Sequence, residues 1–140
     1  MEVRTATIKD AEPIRQLLEQ LGYFTKTSLL EEQIIELVEN KAHRVLICED
    51  AGEVTGFCAV HFLPQLGFDG GLVIITFFSA KNEMAAKALE AHIVHLGYDR
   101  LCERIQVHCA DFRTTDHKFY KEQGYVEYPV YLTKRLIYAE

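Results

Sequence analysis

Imidazoles, thiols and ammonium groups are the side chains of this chain best suited to move protons or hold anions near neutral pH, and their spacing narrows what each can do. His61 stands near the end of an apolar run, Val54 to Leu63. An imidazole with an ordinary pKa of about 6.5 suits removal of a proton from a nucleophile. Asp69, Asp111 and Glu127 are the other candidate bases. His92 and His95 lie three apart, as two ligands on one helix face would, yet no third ligand accompanies them and no metal site is expected. Cys48, Cys58, Cys102 and Cys109 fall in strand-like segments with no Cys-x-x-Cys pair. That pattern reads as reduced core thiols rather than zinc ligands or disulfides.

The arrangement with most chemical content runs from Leu72 to Val107. An apolar β-rich run, Leu72 to Phe78, is followed by a very short turn, a helix from Asn82 to Gly97 and a second β-rich run from Cys102 to Cys109. In a strand–helix–strand crossover the helix start faces the carboxyl end of the first strand, where unpaired backbone N–H groups can hold an anion. Glu83 puts a carboxylate at that start, where it favours the helix dipole by roughly 0.3–1 kcal/mol. For an incoming phosphate it is repulsive, costing on the order of 3 kcal/mol per charge pair at ~5 Å in an effective dielectric of ~20. Lys81 and Lys87 flank it and can offset part of that.

Other elements must carry this crossover. Val3 to Ile8 alternates as a strand does; Asp10 is the expected N-cap of a helix that tolerates Pro13 in its first turn and stops at Gly22. Tyr23 to Thr27 is a loop exposing two aromatics, and Ser28 is expected to cap a helix ending near Asn40. Arg44 to Cys48 and Val54 to Leu63 form a hairpin about Asp50-Ala51-Gly52. After the crossover come a helix from Arg113 to Gln123, closed by Gly124, and a strand from Val126 to Leu136 broken at Pro129. The order β-α-α-β-β-β-α-β-α-β is a mixed α/β fold with antiparallel strands first, in one domain spanning 1–140.

With 140 residues, 49% of them hydrophobic, the chain can fill one core. No apolar run approaches the roughly 20 residues of a bilayer span, and the N-terminus has no signal-peptide pattern, so a cytoplasmic location is expected. A formal charge of −6 argues against nucleic acid or an anionic membrane as partner.

Cys102-Glu103-Arg104-Ile105-Gln106-Val107, then Asp111-Phe112-Arg113-Thr114-Thr115-Asp116-His117-Lys118-Phe119-Tyr120, then Gly124-Tyr125, form the most specific block of the sequence. With Val3-Arg4-Thr5-Ala6-Thr7, Asp10-Ala11 and the hairpin at Glu53 to Phe57, it resembles the GNAT superfamily of acetyl-CoA-dependent N-acetyltransferases along essentially the whole chain. The resemblance implies the GNAT fold, acetyl-CoA as cosubstrate, and a small-molecule or protein amine as acceptor. Tyr120 matches the tyrosine that commonly stands near the CoA sulfur as general acid; packing of the last helix is its other use. His61 would face the acceptor cleft as base, and Tyr23 and Phe24 sit where relatives shape the acceptor pocket. Phe77, Phe78 and Ser79 match the strand end that pairs with the pantetheine arm. Lys81, Asn82, Ala85, Ala86 and Lys87 occupy the diphosphate cradle. Arg113 lies where a polar residue often touches the cofactor, with a surface ion pair as the alternative.

One segment departs from the family pattern. Arg/Gln-x-x-Gly-x-Gly/Ala is usual at the entry to the central helix, whereas this chain has Lys81-Asn82-Glu83-Met84-Ala85-Ala86 after a shortened loop. Glycine there allows positive φ and close approach of phosphate oxygens, and Met84 and Ala85 remove both freedoms. A second reading therefore stays open, a GNAT-shaped binding or regulatory protein without normal CoA use. A third is a homodimer formed through the C-terminal strand, which carries Tyr128, Val130, Tyr131 and Leu132.

Overall fold

Alternating and helical apolar spacings lay down the layers of the structure. The computed structural model describes residues 1–108, 114–127 and 132–138, with 114–116 described by backbone alone. Strand β1 (Glu2–Thr5) leads through a 3₁₀ turn (Ile8–Asp10) into helix α1 (Ala11–Gln20), and helix α2 spans Thr27–Glu39. Ala11, Ile14, Leu17 and Leu18 form the buried stripe of α1, and Gly22 ends the segment at φ 89°. Asp10 does not cap α1 with its side chain as expected. Its backbone is already helical (φ −85°, ψ −5°), and its carboxylate turns back to accept from Thr7 N at 2.7 Å. Ser28 does not cap α2 either: the helix starts at Thr27, whose hydroxyl donates to Glu12 Oε2 at 2.6 Å.

Strands β2 (His43–Asp50) and β3 (Glu53–Leu63) meet in the expected hairpin. Ala51 (φ 52°) and Gly52 (φ 81°) both adopt the left-handed conformation that a tight two-residue connection demands. Strand β4 (Gly71–Ala80) absorbs Ser79 and Ala80, which the sequence assigns to the turn. Helix α3 (Glu83–Asp99) passes through Gly97 instead of stopping there: that residue is buried, and a Cβ on it would lie 3.6 Å from Val73 Cγ2. Leu101, at φ 56°, makes the reversal into β5 (Cys102–Val107).

These strands form one sheet in the order β1-β2-β3-β4-β5. Neighbours are antiparallel except β4 and β5, the parallel pair that α3 connects. Strand alternation divides the core between the two faces. Val45, Ile47 and Phe57 pack with Ile14, Leu17, Leu18, Leu30 and Ile34 of α1 and α2. Leu46, Cys58, Val60, Val73 and Ile75 pack with Leu89 and Ile93 of α3. Cys48, Cys58 and Cys102 are free thiols, as expected, and burial pushes those of Cys58 and Cys102 up, away from the reactive thiolate. Cys109 lies outside the described residues. At one end of the sheet Arg100 lies 3.9 Å above the Phe62 ring centroid, with Arg44 also over that ring at 5.8 Å.

The chain forms two compact units, Met1–His108 and Cys109–Glu140. The second contains helix α4 (Thr114–Glu122), which ends where Gly124 turns at φ 96° and Tyr125 N donates to Tyr120 O at 3.0 Å. The expected strand from Val126 to Leu136 is not found among the described residues: 125–127 and 132–138 carry no strand structure. Val126, Leu132 and Leu136 are exposed there. Tyr128, Pro129, Val130 and Tyr131 lie outside the described residues.

Candidate active site

Strand β4 runs on past its last described pair with β5 to the start of a helix. The parallel ladder of β4 and β5 ends at the Ile75–Val107 pair, extended by His108 N donating to Ile75 O at 3.2 Å, while β4 runs on to Ala80. Phe77, Phe78 and Ser79 occupy this continuation, so the residues expected to meet a pantetheine arm stand on the stretch of β4 beyond its ladder with β5.

Lys81 and Asn82 then join β4 to α3. Asn82 is the N-cap, and its Oδ1 accepts from Ala85 N at 2.8 Å; its carbonyl accepts from Ala86 N at 3.1 Å. The expected amide cradle is thus partly satisfied from within, which leaves the amides of Glu83 and Met84 as the donors not used by this cap. Lys81 Nζ lies 2.7 Å from Glu53 Oε1, and Lys87 Nζ lies 3.2 Å from Glu83 Oε1. Hydrogen bonding to Lys81 holds the Glu53 carboxyl below its ordinary range. Both pairs are exposed, and exposed pairs are weakly held, so an incoming anion with more charge than one carboxylate can draw either lysine away.

A second cluster occupies the sheet face covered by α1 and α2. Between β3 and β4 the register slips: Ala59 pairs with Phe77 and Val60 with Ile75, leaving Thr76 as the extra residue of a β-bulge. The bulge re-aims Thr76 so that its Oγ1 lies 2.8 Å from His61 Nε2. His61 Nδ1 lies 2.8 Å from Nδ1 of His43, its cross-strand partner on β2, and the two rings meet edge to face. Burial, and after it the charge of His43, holds the His61 imidazole below its ordinary pKa, so it is neutral at pH 7. Next to Thr76, the Phe77 ring meets that of Tyr23 at 5.5 Å and 86°. This contact brings together one expected acceptor-pocket residue and one expected cofactor residue, while Phe24 stays 79% exposed.

His43 and Thr76 are the additions that the sequence did not announce. Both ring nitrogens of His61 are engaged, so a proton reaches it only through one of these neighbours. Asp69 is exposed, and Glu127 lies 3.2 Å from Lys121. Asp111 and Arg113 lie outside the described residues. In the second unit Tyr120 is buried, its ring edge-on to those of Phe119 and Tyr125 at 5.5 and 5.4 Å.

Comparison with known proteins adds a family and a set of folds. A family model described as the acetyltransferase (GNAT) family matches residues 11–125. No curated protein matches the chain. Among solved structures, a transcriptional regulator from Bacillus halodurans C-125 is similar at 18% identity and TM-score 0.85, over 96% of this chain and 99% of that one. An aminoglycoside N-acetyltransferase in complex with CoA is similar at 18% identity and TM-score 0.81, over 96% and 93%. A ribosomal-protein-alanine N-acetyltransferase from Brucella melitensis biovar Abortus 2308 follows at 15% and 0.76, over 96% and 98%.

Proposed function

The chain belongs to the GNAT acetyltransferase family, and from that premise we propose that it transfers an acetyl group from acetyl-CoA to a primary amine of a small molecule or a protein. The observation that carries the proposal is the run of β4 beyond its last described pair with β5, Ile75–Val107, directly into the capped start of α3. A strand that outruns its ladder suits the amides of a pantetheine arm, so Phe77, Phe78 and Ser79 would hold that arm. The amides of Glu83 and Met84, with Lys81 and Lys87 drawn from their carboxylates, would hold the diphosphate; Asn82, Ala85 and Ala86 shape the turn beneath it. The thioester supplies an activated acyl group. The chain supplies alignment, a neutral imidazole at His61 to take up an amine proton, and the Tyr120 hydroxyl as proton donor to the departing thiolate. Tyr23 and Phe24 would border the acceptor.

Among the described residues no helix is long and apolar enough to cross a membrane, and the free thiols suit a reducing, cytoplasmic compartment. Calorimetric titration of the purified chain with acetyl-CoA and with CoA tests the proposal. Heat of binding and a raised melting temperature are expected, and silence at millimolar ligand would end the enzyme reading. Given turnover, Tyr120→Phe lowers kcat about 100-fold and leaves KM for acetyl-CoA unchanged.

One observation favours a second reading, a GNAT-shaped binding or regulatory protein without normal CoA use. The α3 start holds Glu83, and Asn82 already takes the Ala85 amide. On that reading the unaltered chain gives no heat with CoA, and the double substitution Glu83→Gly, Met84→Gly creates binding.

A further inference from the structure

The His43–His61–Thr76 cluster holds more than a base needs. Two ring nitrogens 2.8 Å apart cannot both carry a proton, so one proton stands between the two Nδ1 atoms. The Thr76 hydroxyl has one proton and two acceptors within reach, His61 Nε2 at 2.8 Å and the Ala59 carbonyl at 3.3 Å. When it donates to His61 Nε2, the His61 proton sits on Nδ1 and is donated to His43, whose own proton is then on Nε2. When it donates to Ala59, His61 Nε2 donates to the hydroxyl and His43 donates to His61. The first state becomes the second when one proton enters at Thr76 Oγ1 and one leaves from His43 Nε2, with a concerted shift along the line between them.

Resting on the acetyl-transfer reading above, we propose that Thr76, His61 and His43 form a proton relay that deprotonates the acceptor ammonium, with His43 as its outlet. The acceptor arrives as an ammonium. One of its protons passes to Thr76 Oγ1 as the hydroxyl proton moves to His61 Nε2 and the His61 Nδ1 proton moves to His43 Nδ1. His43 becomes the imidazolium and releases its Nε2 proton to solvent. The neutral amine then forms its N–C bond to the thioester carbonyl carbon, the C–S bond breaks, and the surplus proton on nitrogen goes to the departing thiolate sulfur. The protons balance, and no further reactant is required.

The surroundings suit release rather than storage of the proton. Among the described residues no carboxylate bonds to either ring, so nothing traps the imidazolium. Arg44, next to His43 on β2, turns its guanidinium to Phe62 on the other face of the sheet. Ile74 is the residue of β4 paired with His61, and from the α1–α2 connection Tyr23 reaches Phe77, beside Thr76.

The test combines imidazole nitrogen-15 NMR of the full chain with pH–rate profiles, using acetyl-CoA and either putrescine or a lysine-bearing peptide as acceptor. The variants are His43→Gln, Thr76→Val and Thr76→Ser, each checked for an unchanged fold by circular dichroism. His43→Gln is expected to move the His61 titration upward, because a like charge beside it is gone. His43→Gln and Thr76→Val each lower kcat about tenfold or more with KM for acetyl-CoA unchanged, and Thr76→Ser, which keeps the hydroxyl, restores the rate. An unmoved His61 titration, or turnover with wild-type pH profiles in both His43→Gln and Thr76→Val, overturns the relay and leaves the acetyl-transfer reading standing. A wild-type chain that binds CoA but acetylates neither acceptor also overturns the relay, whereas one that binds no CoA overturns both.

Discussion

Arg4 and Asp10 show how one side chain can hold the entry to the first helix. The Arg4 guanidinium donates to both Asp10 carboxylate oxygens at 2.8 and 2.9 Å and to Glu49 Oε1 at 2.8 Å, tying β1 to the 3₁₀ turn and to β2. Asp10 is only 4% exposed. Burial by itself would raise its carboxyl pKa, but hydrogen bonds from Arg4 and from Thr7 N outweigh it and hold the pKa below the ordinary range. A carboxyl whose folded pKa lies below its unfolded value of about 3.9 stabilises the fold above that pH, and the contribution is lost as pH falls through the folded value. Asp10→Asn is therefore expected to lower stability by about 2 kcal/mol near neutral pH, and the deficit narrows once pH drops below about 4. Urea unfolding of both proteins at the two pH values measures it; a deficit independent of pH would mean that the charge on Asp10 contributes nothing.

At the scale of elements, close approach of β3, β4 and α3 depends on a missing side chain. A Cβ at Gly56 would lie 2.9 Å from Ser79 O, 3.1 Å from Leu89 Cδ1 and 3.2 Å from Ala80 Cα. Two of those atoms are backbone of the segment leading into α3, so the strand or the helix must shift to admit a methyl group. Gly56→Ala is expected to cost about 1–3 kcal/mol in thermal or urea unfolding and to weaken CoA binding more than an equally destabilising change elsewhere. Register explains what could not be read from the pattern. Counting back from the Ala51-Gly52 turn pairs His43 with Val60, on the wrong face; the slip between Cys48 and Glu49 restores His61 as its partner. Thr76 reaches the same place through a second slip. Bulges leave little trace in apolar alternation, so His61 was legible as a candidate base and its two partners were not. The crossover was legible because its helix and flanking strands are long and apolar, although Gly97 misled as a stop signal that packing against Val73 overrides.

For the molecule as a whole, family and fold class were legible from motifs spread along its length, and the family match covers those between Ala11 and Tyr125. The expected final strand is not found at the described residues 126–127 and 132–136, where the β-favouring side chains of Val126, Leu132 and Leu136 are exposed. Net charge acts at this scale too. A chain of charge −6 attracts cations, so a diamine acceptor should show a higher kcat/KM than a monoamine of equal length at low salt. That advantage should shrink as salt shortens the Debye length toward about 3 Å at 1 M. Steady-state rates at two ionic strengths measure it, and an advantage unaffected by salt would assign the preference to local contacts instead.

Tyr23 leans on Phe77, and this gives the connection between α1 and α2 a settled posture before any partner arrives. Rotational freedom that a loose loop would surrender on capture is already gone in the folded chain. On the role proposed for Tyr23, an acceptor shaped to that posture would meet a preorganised wall and keep more of its contact energy as affinity.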